Sequence, residues 1–300
     1  MGITPVTPMS AETLTPLEGS STAGLIAPSL IPGPKVLLMG DSGTGKSYAL
    51  RTLVDAGITP FVFATEQNFI QVMKDTLGKT VHYKYVSPQP EQSWMQVLDM
   101  AKKVNQLSYE NLSKVHDPFK QSHNKFLDLI VACNDFVCDC CKKSWGGINS
   151  WNTDRAFVID SWSGASDMAF SLVIGNKPTK AMPDYMVAQN TLRSVLGPLT
   201  TQTKCTVVII AHIGREKDEI TGGTNITINS VGQKLGPDMP RMFSDVIRTM
   251  RNAATFYWDT ADSQSTVVAR HLPIGNSLPP SFLPLIQAWK ARGGRIEVTA

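Results

Sequence analysis

"KVLLMGDSGTGKSYALRTLV", residues 35–54, runs from an unbroken apolar stretch into Gly40, Gly43 and Gly45, then a lysine and a serine. Glycine loses more freedom on ordering than any other residue, so such a cluster marks a backbone turn that side chains would obstruct. On one side, "KVLLMG" (35–40) reads as a fully buried strand. On the other, "KSYALRTLVDAG" has apolar residues at helical spacing and a terminating Gly57. "PFVFATE" (60–66) is a second buried strand. Strand, turn, helix, strand is the unit of a parallel sheet.

Further out, "RAFVIDS" (155–161) and "CTVVIIAH" (205–212) are two more short apolar runs, with helix-like "YMVAQNTLRSVLGPLTTQ" before the second. Unbroken hydrophobic strands alternating with helices predict an α/β fold, a mainly parallel central sheet flanked by helices. A polar stretch rich in Gly, Thr and Asn follows over 214–236. "DVIRTMRNA", "TFYWDT" and "STVVARHLP" then read as late strands, the last two as a hairpin. Residues 87–150 carry no strong strand signal and contain helix-like "SWMQVLDMAKKVNQL" and "NKFLDLIVACNDFVCDC", which predicts a helical insertion. Residues 1–33 are rich in Thr, Pro, Ser and Gly without a period, and are expected to be a flexible leader to a domain over 34–300.

The 300 residues are 42% hydrophobic and 18% charged, enough for a sizeable core. A net charge of +3 is too small to point to nucleic acid or membrane by itself. No apolar run is long enough to span a membrane, and the start of the chain does not read as a signal peptide. The expectation is therefore a cytoplasmic protein with no membrane partner. Of the five cysteines, Cys133, Cys138, Cys140 and Cys141 cluster, at spacings unlike a paired C-x-x-C zinc pattern. His116 and His123 lie upstream as residues that could complete a site. The reading adopted is reduced thiols on or beside a helix, without zinc.

"GDSGTGKS" (40–47) fits G-x-x-x-x-G-K-[ST] between strand and helix, the context that a phosphate-binding loop requires. Gly43 and Gly45 let successive N–H groups converge on phosphate oxygens, and the helix starting near Lys46 turns its positive end to the same place. The expected nucleotide-binding residues are Gly40, Asp41, Ser42, Gly43, Thr44, Gly45, Lys46, Ser47 and Tyr48. Lys46 supplies charge to the β and γ phosphates, and the Ser47 hydroxyl is placed for Mg²⁺. Asp41 is expected to face solvent or to cap locally.

Asp160 follows four apolar residues at a strand end, where ligands sit in open α/β sheets, and is the expected second metal-binding residue. Glu66 ends the strand after the loop and could orient and deprotonate an attacking water. His212 ends "TVVIIAH", where it could sense the γ-phosphate or be an ordinary strand-end histidine. A guanine reader is not found. "NKPT" (176–179) lacks the final carboxylate of N-K-x-D, and "DSWSG" (160–164) spaces its glycine one residue too far. ATP is the expected nucleotide.

The order of these parts, with "FATE", "VIDS" and "VIIAH" after the loop, resembles that of RecA-like P-loop ATPases. More closely, "VLLMGDSGTGKSYALRTL", "WNTDRAFVIDSWSG", "VVIIAHIGREKDE" and "FSDVIRTMR…FYWDT…VVARHLP" look like the AAA-type nucleotide-binding proteins of tailed phages, over roughly residues 35–285. Some members of that group are ATP-dependent single-strand annealing recombinases. The resemblance implies Lys46 and Ser47 on phosphate and Mg²⁺, Asp160 as the Walker B acid and Glu66 as the catalytic carboxylate. His212 stands where RecA has glutamine.

The resemblance also implies single-stranded DNA as a partner, met by loops 175–185 and 214–236. Lys177, Lys180, Arg215, Lys217 and Lys234 could touch phosphates there, opposed by Glu216, Asp218 and Glu219. A homo-oligomer with shared ATP sites is implied, with Arg270 as the residue reaching a neighbour's phosphates and Arg248 and Arg251 behind it. If the chain is phage-encoded, its place is the host cytoplasm. The expected function is Mg²⁺-dependent ATP hydrolysis acting on single-stranded DNA in recombination or replication. A nucleotide-gated assembly or loader module with little turnover, and a helicase or packaging motor, stay open.

Overall fold

The computed structural model describes residues 30–89, 93–115, 120–175, 177–217 and 223–299. Leader residues 1–29, His116, Asn176, Asp218 and Glu219 lie outside the described residues. In chain order the elements are β1 (Lys35–Gly40), α1 (Lys46–Ala49), α2 (Arg51–Asp55), β2 (Thr59–Ala64), α3 (Asn68–Val72) and β3 (His82–Tyr85). Then come α4 (Trp94–Gln106), α5 (Tyr109–Ser113), α6 (Lys125–Asn134), β4 (Arg155–Asp160), α7 (Trp162–Ile174), α8 (Met182–Thr201) and β5 (Thr206–Ala211). The last are β6 (Ile213–Lys217), β7 (Thr224–Ile228), α9 (Leu235–Asp238), β8 (Asp245–Asn252), β9 (Thr255–Asp259), β10 (Val268–Ala269) and α10 (Phe282–Ala291).

The main sheet runs β10-β8-β1-β5-β4-β2-β3, with β9 also on β8. From β8 to β3 every pairing is parallel. Alternate residues of the buried strands divide between two cores, as the two-residue period requires. Leu37, Met39, Phe61, Phe63, Phe157 and Ile159 face one side, where Leu129, Trp162 and Leu192 of α6, α7 and α8 cover them. Val36, Leu38, Val62, Val158 and Ile210 face the other, under Leu50, Leu53, Leu285 and Trp289. Both faces are covered, which is why the strand sequences read as continuous apolar runs.

Four features differ from the sequence expectation. β3 is an edge strand that was not anticipated, because "HYKY" has no apolar run and only His82 in it is buried. The late hairpin is β8–β9, with Asn252 opposite Thr255; β10 pairs instead with the start of β8, Val268 opposite Val246. The polar stretch after His212 is not a plain loop. It forms a two-stranded antiparallel ribbon, β6–β7, with Ile213 opposite Ile228. Between β3 and β4 the insertion does carry helices, of which α4 buries none of its residues. Pro32 and Gly33, expected in the leader, are bound to the fold. The Pro32 carbonyl accepts from the Trp289 indole, and Gly33 N–H donates to the Lys204 carbonyl.

Candidate active site

β1, β5, β4 and β2 lie side by side, so Gly40, His212, Asp160 and Glu66 emerge at the same end of the sheet. Here Glu66, Asp160 and His212 border a cavity of about 460 Å³ lined also by Ser42 to Tyr48, Asn68, Phe69, Gln71, Val72 and Phe256, while Gly40 and Asp41 of the expected binding set lie outside its lining. The chain between β1 and α1 turns through left-handed glycines, Gly43 at φ 74° and Gly45 at φ 82°. A side chain at Gly45 would press on Phe256, 3.2 Å from the added carbon. Gly40 packs so closely on Thr249 of β8 that a Cβ there would lie 2.2 Å from its hydroxyl. Thr44 secures the turn, donating to the Asp41 carbonyl (2.8 Å) and sharing a hydrogen bond with Thr249 (2.7 Å).

Lys46 is buried and folds back on the loop, where Nζ donates to the carbonyls of Gly40 (2.8 Å) and Asp41 (2.6 Å). Burial lowers its pKa; Asp160, Glu66 and Asp41 pull the other way. Asp160 is 2% exposed. Burial pushes its pKa up to about 6, the Glu66 charge adds to the rise, and the Ser47 hydroxyl and Lys46 offset part of it. Its Oδ2 has no hydrogen-bond partner among the described residues. A buried carboxylate oxygen left unpaired beside a serine hydroxyl is the donor set a hard divalent cation takes. Mg²⁺ therefore fits Ser47 and Asp160.

Glu66 accepts from or shares a proton with His212, Nε2 to Oε1 being 2.7 Å. That hydrogen bond, more than Ser161 or the Lys46 charge, holds the Glu66 carboxyl below its ordinary range, against the opposing effect of burial. Tyr48 is exposed at the rim, with the Arg51 guanidinium 4.6 Å from its ring centre.

Other sequence expectations fall differently. Asp41 is not free in solvent: Arg215 of β6 grips its carboxylate with both guanidinium nitrogens, at 2.9 and 2.5 Å. This pairing holds the Asp41 carboxyl below its ordinary range. The partners are 174 residues apart, and no local pattern announces them. Phe256, also not anticipated, comes to the cavity because the β8–β9 hairpin folds over the loop.

Arg270 is exposed at the other end of the sheet, following β10, where its N–H donates to Asp245. It does not line this chain's own cavity. Arg248 is buried and paired with Asp262, whereas Arg251 is exposed with its guanidinium 5.5 Å from the Phe256 ring centre. Of the two loops expected to meet DNA, the first ends in helix, since residues 182–185 open α8. Met182, Tyr185, Met186 and Arg193 of that helix border a groove of about 700 Å³ with Lys234 of the second stretch, and Arg193 is paired with Asp238 at 2.5 Å. Lys177 is paired with Asp184 at 3.7 Å, and Lys180 lies over Phe170. No helix among the described residues is long and apolar enough to cross a membrane.

No curated protein matches the chain. Among solved structures, it is similar to the genome packaging NTPase B204 of Sulfolobus turreted icosahedral virus 2 in complex with ATP-gammaS. That likeness covers 74% of this chain and 77% of the other, at 11% identity and a TM-score of 0.24. The sulfate complex of the same protein covers 81% and 100%, at 11% identity and a TM-score of 0.26. The family comparison matches an AAA domain to residues 32–272, which takes in every strand of the sheet and the phosphate loop. The chain belongs to the AAA domain family, as a P-loop ATPase of the AAA/RecA-like type.

Proposed function

We propose that this protein hydrolyses ATP with Mg²⁺ and couples that turnover to single-stranded DNA, in recombination or replication. The observation that carries the catalytic part is the meeting of Lys46, Ser47, Glu66, Asp160 and His212 around one cavity. When bound, Mg²⁺ would supply positive charge across the phosphates, held by the Ser47 hydroxyl and Asp160. Loop N–H groups from Gly43 to Ser47 cradle the phosphates, and Lys46 exchanges its two carbonyl partners for phosphate oxygens. Tyr48 and Phe256 offer ring faces at the rim for the base.

The attacking water is oriented by the Glu66 carboxylate, which receives its proton at Oε1 or Oε2 as the γ-phosphate departs. A carboxyl held below its usual range is a weak base, so Glu66 acts mainly by orientation. It must also share or surrender the His212 hydrogen bond to reach that water. His212 leads directly into the ribbon β6–β7, whose Arg215 grips the phosphate loop at Asp41. Two polar links thus join the ribbon to the ATP site, which supports a coupling between DNA held near the ribbon and turnover.

The groove of Met182, Tyr185, Met186 and Lys234 offers apolar faces and a cation of the kind that stack bases and meet phosphates, with Arg193 beside them engaged by Asp238. Arg270, remote from its own cavity, is free to complete a neighbour's site in a homo-oligomer working in the cytoplasm. The deciding experiment is ATP turnover by purified protein with and without single-stranded DNA, for wild type and Lys46→Ala. Expected are stimulation by DNA and loss of at least about a hundredfold in Lys46→Ala, since charge stabilisation of this kind carries that much. Unchanged turnover in Lys46→Ala sinks the mechanism. Nucleotide-dependent assembly without turnover would instead support a loader module. DNA affinity that does not fall with salt would remove the nucleic acid from the proposal.

A further inference from the structure

We infer that the insertion carries a structural zinc site made of His82, Cys138, Cys140 and Cys141. The ligand atoms of these four residues lie within 4.8 Å of one another. Nδ1 of His82 is 3.6, 3.7 and 3.8 Å from the sulfurs of Cys138, Cys140 and Cys141 respectively. With metal–sulfur bonds of about 2.3 Å and a metal–nitrogen bond of about 2.0 Å, the nitrogen–sulfur edge of a tetrahedron is about 3.5 Å. All three edges from the imidazole are therefore near the size a single ion requires. The Cys138 and Cys140 sulfurs are 2.7 Å apart, too far for a disulfide of about 2.05 Å, and both cysteines are free thiols. A bound ion would spread that pair by about 1 Å.

The scaffold around the four ligands is built to hold them. The three cysteines sit at the tip of a short hairpin after α6, closed by Cys138 N–H donating to the Lys143 carbonyl and Lys142 N–H donating to the Cys138 carbonyl. Lys142 takes a left-handed conformation, φ 57°, to make that turn. The tip is docked on edge strand β3, where Asp139 N–H donates to the Tyr83 carbonyl and Tyr85 N–H donates to the Asp139 carboxylate, both at 2.8 Å. The His82 ring is wedged between Phe61, 5.0 Å away and stacked, and Trp145, 4.5 Å away.

Three thiolates and one neutral imidazole around a divalent ion leave one net negative charge. Lys143 and Arg155, whose cations act on His82, provide the complement. Borderline-soft thiolate and imidazole donors in a closed tetrahedron select zinc over magnesium or calcium, and four protein ligands leave no open position for chemistry. The role is to pin the insertion to β3 and so cover the sheet edge. Sequence spacing missed it because the fourth ligand lies 56 residues before Cys138 in a strand without apolar character. His123, the alternative upstream histidine among the described residues, is not part of the cluster.

The test is metal analysis of the full chain purified under reducing conditions without chelator. About one zinc per chain is expected, as for any closed four-ligand site. Cys141 is exposed, so Cys141→Ser disturbs packing least and is expected to lower zinc below about a tenth of an equivalent with the fold intact by circular dichroism. Cys133→Ser, outside the cluster, keeps its zinc. Cobalt(II) added to zinc-stripped wild type should give the absorption of a tetrahedral thiolate site, absent in Cys141→Ser. Well-folded wild type without zinc and without that cobalt spectrum overturns the inference. So does iron in place of zinc, or a Cys138–Cys140 disulfide in the metal-free protein.

Discussion

Asp160 is buried, and as the proposed Mg²⁺ ligand it must also carry charge, two demands that oppose each other. At the end of β4 it is 2% exposed, and burial pushes its pKa to about 6 from an ordinary 3.8. A raised acid pKa favours the fold only while the carboxyl is protonated. Stability from this group is complete below about pH 4 and is lost as pH rises through about 6. At pH 7 the metal-free protein then carries a penalty of up to about 3 kcal/mol at this residue. Asp160→Asn, isosteric but neutral, should raise the melting temperature of the metal-free protein at pH 7 and leave it nearly unchanged at pH 4. It should also abolish Mg²⁺-dependent nucleotide binding. An Asn variant that melts lower than wild type at pH 7 contradicts this account of the buried carboxyl. If Asp160 holds Mg²⁺ as proposed, protonation competes with the metal, so affinity should be about tenfold weaker at pH 5 than at pH 7. Isothermal titration at the two pH values measures it, and equal affinities would show that Asp160 is not a ligand.

The ribbon β6–β7 is where elements rather than single residues carry the proposed coupling. His212 at its root holds Glu66 and Arg215 within it holds Asp41, so one segment touches both the carboxylate proposed to orient water and the phosphate loop. If that contact transmits DNA binding, Asp41→Asn and Arg215→Gln should each cut DNA stimulation of turnover about tenfold, the size of a typical coupling free energy. The double variant should be no worse than either alone, because both remove the same link. Costs that simply multiply would mean the two residues act separately. The strands that carry chemistry were legible in the sequence because each is a continuous apolar run that ends at a turn glycine, Gly40, or runs out at a polar residue, Glu66, Asp160 or His212. The ribbon was not, since its exposed Thr224 and Asn225 and its polar composition resemble a loop. The pairing of Asp41 with Arg215 and the arrival of Phe256 depend on contacts across the fold that no local spacing encodes. Sequence proximity favours joining β9 to β10, but both pair with β8, at different heights, a choice that no local pattern encodes.

At the scale of the molecule, the AAA match ends at residue 272, but the hydrophobic core does not. α10 lies beyond it and buries Phe282, Leu285, Ile286 and Trp289 against the same cluster as Leu50 and Leu53 of the phosphate-loop helices. Trp289 is 1% exposed, and its indole N–H donates to the Pro32 carbonyl, tying the end of the chain to the segment entering β1. The Phe282 N–H donates to Thr52 of α2, so α10 also fixes the start of the helix that follows the nucleotide loop. Burying four large apolar side chains at about 1.5–3 kcal/mol each contributes about 6–12 kcal/mol before ordering entropy is subtracted. Net domain stability is about 5–15 kcal/mol, so removing α10 forfeits an amount comparable to the whole. A chain ending at residue 272 should therefore fail to unfold cooperatively and should be digested rapidly by protease, with or without nucleotide. Trp289→Ala, which leaves a single cavity, should cost about 3–5 kcal/mol in denaturant titrations and retain nucleotide binding at low temperature. A cooperative, nucleotide-binding 1–272 chain would show that the sheet and its phosphate loop stand without the helix behind them, and that the second core is not shared as the packing of α10 implies.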